Sequence, residues 1–252
     1  MTNWLGDFPA LRQQLVGLEI LPEIGSTNDV LKSEALGDYT AALTDHQTAG
    51  RGRMGRTWVS APGAGLAFSL LAPATSPTQQ SWLSLVAGAS VAAAVRAHGV
   101  VSAELKWPND VLVAERKLSG ILCEVRPDGR VIVGIGVNID CLRGVQPIEE
   151  ATSLAEFGEV SHQSIDDLLA TVVSSLRQFL ETPAPEALAL AKGSVQKVLA
   201  TTGREVSVHD LDGTVWSGVA LALTDDGHLV VRDSVTRRER IVVASDVRHL
   251  RQ

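Results

Sequence analysis

The sequence predicts an α+β protein: a mixed, largely antiparallel central sheet with helices packed on it, followed by a small C-terminal β-barrel of SH3-like type. Three observations carry this. Strand-like segments follow one another from residue 102 to 138 with no helix between them, and Pro127-Asp128-Gly129 inside that run is a hairpin signal. Long helical patterns flank the run on both sides. From Gly203 onward only short β-like segments remain, separated by Asp212-Gly213 and Asp226-Gly227. The change of composition sets the expected domains at 1–202 and 203–252.

Taken in order, Ser26 to Leu36 reads as a helix with Ser26 or Thr27 as its N-cap. Ala41 to Asp45 and Leu66 to Leu71 read as strands. Ser76-Pro77 opens a long helix that Gly99 closes, with the proline in the first turn. Apolar and small residues run nearly all round it, which places it in the interior. Ser102 to Trp107 is a strand ended by Pro108, whose ring holds Trp107 extended. Val111 to Ala114 is a short strand. Leu118 to Arg126 and Arg130 to Asn138 form the hairpin. Helices over Ile165 to Leu180 and Glu186 to Leu199 lie on either side of Thr182-Pro183-Ala184-Pro185. The segments Glu205–Val208, Thr214–Leu221, His228–Arg232 and Arg240–Val243 build the barrel.

Composition excludes several classes. A chain of 252 residues with 45% hydrophobic and 20% charged residues resembles a soluble enzyme rather than a disordered chain. A net charge of -7 and a pI near 5.4 argue against nonspecific binding to DNA or to a membrane surface. The N-terminus lacks a basic segment followed by an apolar one. The longest apolar stretch, Leu83 to Val95, is too short to span a bilayer. Cys123 and Cys141 lack metal-ligand spacing and read as reduced thiols in a cytoplasmic protein.

Against that acidic background, Arg51-Gly52-Arg53-Met54-Gly55-Arg56 concentrates three arginines in six residues. Guanidinium forks donate bidentately to phosphate or carboxylate, and Gly52 and Gly55 allow the backbone to turn its N–H groups toward an anion. The alternative is a solvated basic loop. In Val131 to Asn138, one face carries Val131, Val133, Ile135 and Val137, a core face. The other carries Ile132, Gly134, Gly136 and Asn138. Glycine inside a strand marks close approach of a ligand or of another chain segment, and a tight helix-on-sheet contact is the alternative. A three-residue turn would set Gly120 opposite Gly136 and widen this bare floor. The Asn138 amide matches an adenine edge.

Lys106-Trp107-Pro108-Asn109-Asp110 places a lysine, an amide and a carboxylate around a bend. That set suits a phosphate with Mg²⁺, although Pro-Asn-Asp is also ordinary turn chemistry. Lys117 stands before Leu118-Ser119-Gly120, either as a surface lysine or as a point charge over the floor. Ser26-Thr27-Asn28 serves as a cap or as a polar ligand contact. Gln47 offers a neutral donor–acceptor pair, and Trp58 a ring for stacking or for the core. No nucleophile constellation appears. Gly50 to Gly55 satisfies G-x-G-x-x-G, but a strand follows it, so the dinucleotide reading fails.

Together these segments resemble the biotin protein ligase family. The resemblance rests on Ser26-Thr27-Asn28, on Gln47 through Trp58, on Lys106 through Asp110, on Lys117 through Glu124, and on Gly134 through Ile139. It implies a class II synthetase-like catalytic fold. It also implies an enzyme that joins biotin to ATP as biotinyl-5′-AMP and passes the biotinyl group to a lysine of a biotin carboxyl carrier domain. Ser26, Thr27, Asn28, Gln47, Gly50, Arg51, Gly52, Arg53, Lys117 and Gly120 then bind biotin. Arg53, Arg56, Trp58, Lys106, Asn109, Gly136 and Asn138 bind ATP, and Arg56 meets pyrophosphate. Arg53, Lys106 and Lys117 are the catalytic cations, and Asp110 is a Mg²⁺ candidate. Ser26 lies too near Met1 for the winged helix of DNA-binding members, so no DNA partner is expected, nor a membrane.

Glycines and self-repelling arginines lead us to expect that residues 50–58 order only when an anion arrives and then shield the mixed anhydride. The rivals are a lipoate–protein ligase, a biotin or nucleotide sensor without turnover, and a nucleic-acid module using Arg237, Arg238 and Arg240.

Overall fold

The computed structural model describes residues 4–58, 61–141, 150–243 and 245–250. Seven strands form its first sheet: β1 (Gly17–Ile20), β2 (Thr40–Thr44), β3 (Gly65–Ala72), β4 (Ala103–Lys106), β5 (Asp110–Val113), β6 (Arg116–Val125) and β7 (Val131–Asn138). Their spatial order is β1-β2-β3-β7-β6-β5-β4. β1 and β2 run parallel, and every other adjacent pair is antiparallel. The sheet is therefore mixed and largely antiparallel, as expected, with its parallel pair supplied by β1.

Five helices accompany the sheet among the described residues: α1 (Pro9–Arg12), α2 (Thr27–Val30), α3 (Pro77–Ala97), α4 (His162–Glu181) and α5 (Ala184–Gln196). A reciprocal Ser76–Gln79 capping box opens α3, and Gly99, at φ +96°, follows its end. α3 is apolar nearly all round, and 13 of its residues are buried, from Gln79 to Val95. It lies on the core face of the sheet, where Val131, Val133, Ile135 and Val137 are all buried, and α4 and α5 pack over it. The approach is close: a Cβ on Gly88 would stand 2.6 Å from Leu105 Cδ1. α4 turns its buried stripe, including Leu169, Val173 and Leu176, inward.

The second sheet comprises β8 (Glu205–His209), β9 (Val215–Leu223), β10 (Leu229–Asp233), β11 (Glu239–Val242) and β12 (Asp246–His249). All its pairs are antiparallel, in the order β11-β10-β9-β8-β12. Two indoles bind one of its turns: Trp82 Nε1 donates to the Asp225 carbonyl at 2.7 Å, and Trp107 Nε1 to that of Gly227 at 3.0 Å.

Three features depart from expectation. The helix expected over Ser26 to Leu36 stops at Val30, and beyond it Arg126 donates to the carbonyls of Leu31 and Ser33. β12 is unforeseen: Asp246-Val247-Arg248-His249 carries a single apolar residue, and only its pairing with β8 makes it a strand. α1 and β1 are equally unforeseen, being four residues each. The hairpin forms as expected, through a three-residue turn in which Gly129 (φ +82°) donates to the Arg126 carbonyl at 3.0 Å.

Candidate active site

That turn length sets the register that builds the site. Gly120 pairs with Gly136, and one row crosses five strands: Ala67 of β3, Gly136 of β7, Gly120 of β6, Asp110 of β5 and Lys106 of β4. Residues paired across strands share a face. All five line one cleft of about 920 Å³, measured out to its open mouth.

A β-bulge adds Lys117 to this face. Val111 pairs with Ser119, but Leu112 pairs with Lys117, leaving Leu118 as the extra residue of β6. Strict alternation would turn Lys117 toward the core. The bulge instead buries Leu118 and Ser119 completely and lets the Lys117 ammonium reach Asp110 at 2.6 Å.

The floor is not bare. A Cβ on Gly134 would stand 2.4 Å from Asn28 Oδ1, one on Gly136 would stand 2.6 Å from the Trp58 indole, and one on Gly120 would stand 3.0 Å from Lys117 Cε. The glycines make room for three side chains of the protein, and any ligand would meet those side chains. This corrects the expectation of a side-chain-free surface. Ser69 Oγ, on the next strand, bonds to Thr27 Oγ1 at 2.7 Å and to Asn28 Oδ1 at 2.6 Å.

At one end of the cleft, Ser26, Thr27 and Asn28 are nearly fully buried. The Ser26 side chain makes no capping bond. Gln47 takes that role, accepting from Thr27 N at 2.9 Å. Simple capping therefore does not account for Ser26. Asn28 Nδ2 donates to Glu124 at 2.6 Å.

The arginine loop folds back on itself. Trp58 N donates to the Gly50 carbonyl at 2.9 Å, and Gly52 N to that of Arg56 at 2.7 Å. The left-handed positions are Met54 (φ 55°) and Gly55 (φ 72°), whereas Gly52 is extended at φ -115°. Gly50 is required for another reason, since a Cβ there would stand 2.5 Å from the Trp58 carbonyl oxygen.

The three arginines do different things. Arg51 forks onto Asp29 at 2.7 and 2.8 Å and reaches Glu124 at 3.4 Å, so its charge is already matched. The fork holds the Asp29 carboxyl well below its usual range. Arg56 pairs with Asp246 of β12 at 2.5 Å. Arg53 enters the cleft, where its best polar contact is Asn109 Oδ1 at 3.5 Å. Burial pushes the Arg53 and Lys106 pKa values down, and Asp110 and Asp246 oppose the shift. Two desolvated cations without a close carboxylate would gain from a bound anion.

Of the other expected site residues, Asn138 does not line the cleft, and its amide nitrogen donates to the carbonyls of Lys117 and Thr152 at 3.0 Å each. With both amide hydrogens so used, it cannot match the adenine donor–acceptor pair in this conformation. Asp110 faces Lys117, and no cluster of three or more His, Cys, Asp or Glu side chains able to hold a metal occurs among the described residues. Arg240 pairs with Asp210 and Asp233 and stacks on Trp216, 3.8 Å from the ring centre. Cys123 is a free thiol that burial pushes up to about 12. Sequence reasoning missed Asp29, Ser69, Glu124 and Asp246. Only Glu124 carried a signal, as the end of the Lys117 to Glu124 segment.

Fold and cleft together define an anion-binding site, with polar side chains at one end and desolvated cations at the other. The model of the biotin/lipoate A/B protein ligase family matches residues 21–140. The biotin–[acetyl-CoA-carboxylase] ligase of Mycobacterium tuberculosis is 34% identical over 265 residues, covering 97% of this chain and 96% of that protein. Its namesake from Paracoccus denitrificans is 30% identical over 247 residues, covering 90% and 98%. The solved structure of the biotin protein ligase from Aquifex aeolicus in complex with biotin and ATP matches with a TM-score of 0.77 at 30% identity, over 94% of this chain and 100% of that one. The chain belongs to the biotin/lipoate A/B protein ligase family, in its biotin protein ligase branch.

Proposed function

We propose that this protein is an ATP-dependent biotin protein ligase. In the first step a biotin carboxylate oxygen attacks the α-phosphorus of ATP, a P–O bond forms, and pyrophosphate leaves. In the second, a carrier lysine amine attacks the acyl carbon, the bond from that carbon to the bridging oxygen breaks, an amide forms with loss of a proton from the amine, and AMP leaves with the bridging oxygen. Ser26, Thr27, Asn28, Gln47, Gly50 and Gly52 would hold biotin. Arg53, Lys106 and Lys117 would neutralise the carboxylate and α-phosphate, where charge builds up in the transition state. Arg56, Trp58, Asn109 and Gly136 would face the nucleotide. The convergence of Arg53, Lys106 and Lys117 on one cleft with Ser26, Thr27 and Asn28 carries this reading.

Mg²⁺ would arrive on the nucleotide phosphates, with Asp110 as its candidate carboxylate. The acceptor would be a biotin carboxyl carrier domain, and the setting the cytoplasm. No helix of the described residues is long and apolar enough to cross a membrane. The catalytic unit would end at residue 202, because the two sheets share no strand.

The test is incubation with ATP, Mg²⁺, biotin and a carboxyl-carrier domain, followed by mass measurement of the carrier. One added biotinyl group is expected. An unmodified carrier, or one modified only in a parallel incubation with lipoate in place of biotin, would overturn the proposal.

A further inference from the structure

We propose that Arg126 is a positioning residue for the biotin end of the cleft, acting through the segment that follows α2. The role rests on the biotin reading above. Arg126 immediately follows β6 and does not line the cleft. Its side chain is 5% exposed. Nη1 donates to the carbonyls of Leu31 at 2.7 Å and Ser33 at 2.9 Å. Nη2 meets Asp128 at 3.0 Å. Asp128 also binds Arg130, whose Nη1 donates to the Leu36 carbonyl at 2.5 Å. The hairpin turn thus presents two guanidinium groups, joined by one carboxylate, to three carbonyls of the chain after α2.

α2 needs such a restraint. A helix of four residues does not hold itself together in water. Its start is tied by Gln47 to Thr27, and its middle by Ser69 and Glu124 to Asn28. Beyond its end, Leu31 is fully buried against Ala42, Leu71 and Ile132. Arg126 supplies the polar anchor there, and a buried guanidinium bonded to carbonyls is costly to remove. Without it, the turn carrying Thr27 and Asn28 would lose its downstream support, and ligand contacts fail when their supporting shell shifts by about 1 Å.

The test compares Arg126→Met with Arg126→Lys, and uses Arg177→Met as a control. Arg177 donates to the carbonyl of Gln14 at 2.9 Å, away from the cleft. Calorimetric Kd values for biotin and for a non-hydrolysable ATP analogue are measured, together with amide exchange. For Arg126→Met the expected result is faster exchange over residues 27–33, a biotin Kd raised by about tenfold and an unchanged nucleotide Kd. Arg126→Lys should fall between it and wild type, and Arg177→Met should bind biotin normally. If the Met variant does not fold, the Lys variant decides by the same two constants. Normal biotin binding by the Arg126 variants overturns the role. So does an equal loss of both ligands, or an equal biotin defect in Arg177→Met. Wild-type protein that binds no biotin would overturn the functional reading and this role together.

Discussion

The Trp58 indole lies against Gly136 so closely that a Cβ on residue 136 would stand 2.6 Å from its ring. The glycine strand and the aromatic ring are therefore one device: the strand gives up a side chain so that the arginine loop can seat one. Gly136→Ala should displace Trp58 and weaken nucleotide binding about tenfold, roughly 1.4 kcal/mol, while biotin affinity stays near wild type. Calorimetry with each ligand separates the two. Equal loss of both would mean that the floor serves the whole cleft.

Lys117 owes its place to the bulge at Leu118 and its orientation to Asp110, 2.6 Å away. Lys117→Ala should lower biotin-dependent ATP–pyrophosphate exchange by at least about tenfold, some 1.4 kcal/mol of transition-state stabilisation. Wild-type exchange rates in that variant would remove Lys117 from the chemistry.

His249 predicts an acid limit to stability. Its side chain is 7% exposed and its Nε2 lies 3.1 Å from Thr201 Oγ1. Burial, helped by Lys106 and Arg204, lowers the imidazole from 6.5 to about 4. The folded state holds the ring neutral, while the unfolded chain takes up a proton below pH 6.5. The stabilisation is therefore complete above pH 6.5 and disappears as the pH falls to about 4, an effect on the order of 3 kcal/mol. Thermal melts from pH 7 to 4 should show it, and His249→Gln should flatten the slope. An unchanged slope would assign the acid sensitivity to other groups.

The arginine loop offers a fourth test. Arg51 is latched to Asp29 and Arg56 to Asp246, and three backbone bonds, Trp58 to Gly50, Gly52 to Arg56 and Arg56 to Arg53, close the loop internally. Biotin with ATP should slow amide exchange across residues 50–58 by contributing an anion to Arg53. Equal protection with and without the ligands would refute gating by this segment.

Much of this was legible beforehand. The hairpin turn announced itself as Pro127-Asp128-Gly129, and the alternation of Val131 to Asn138 separated a core face from a glycine face. The arginine loop and the Lys106 to Asp110 segment marked the cations. What escaped was partnership. Nothing local says that Arg51 meets Asp29, 22 residues away, or that Asp246 reaches Arg56. The helix expected to run to Leu36 ends at Val30 instead, and the Arg126 guanidinium that holds the chain beyond it lies 93 to 95 positions further on.

The sequence by itself determined the strands other than β1 and β12, the apolar face of β7, and which residue types gather into an anion-binding set, because these follow from side-chain periodicity and turn chemistry over a few residues. Only the tertiary structure decided what covers the glycines, which arginine remains available, and how a single extra residue in β6 turns Lys117 toward Asp110. Those outcomes depend on strand register and on charges brought together from distant parts of the chain, where distance and burial, not local preference, set the energy.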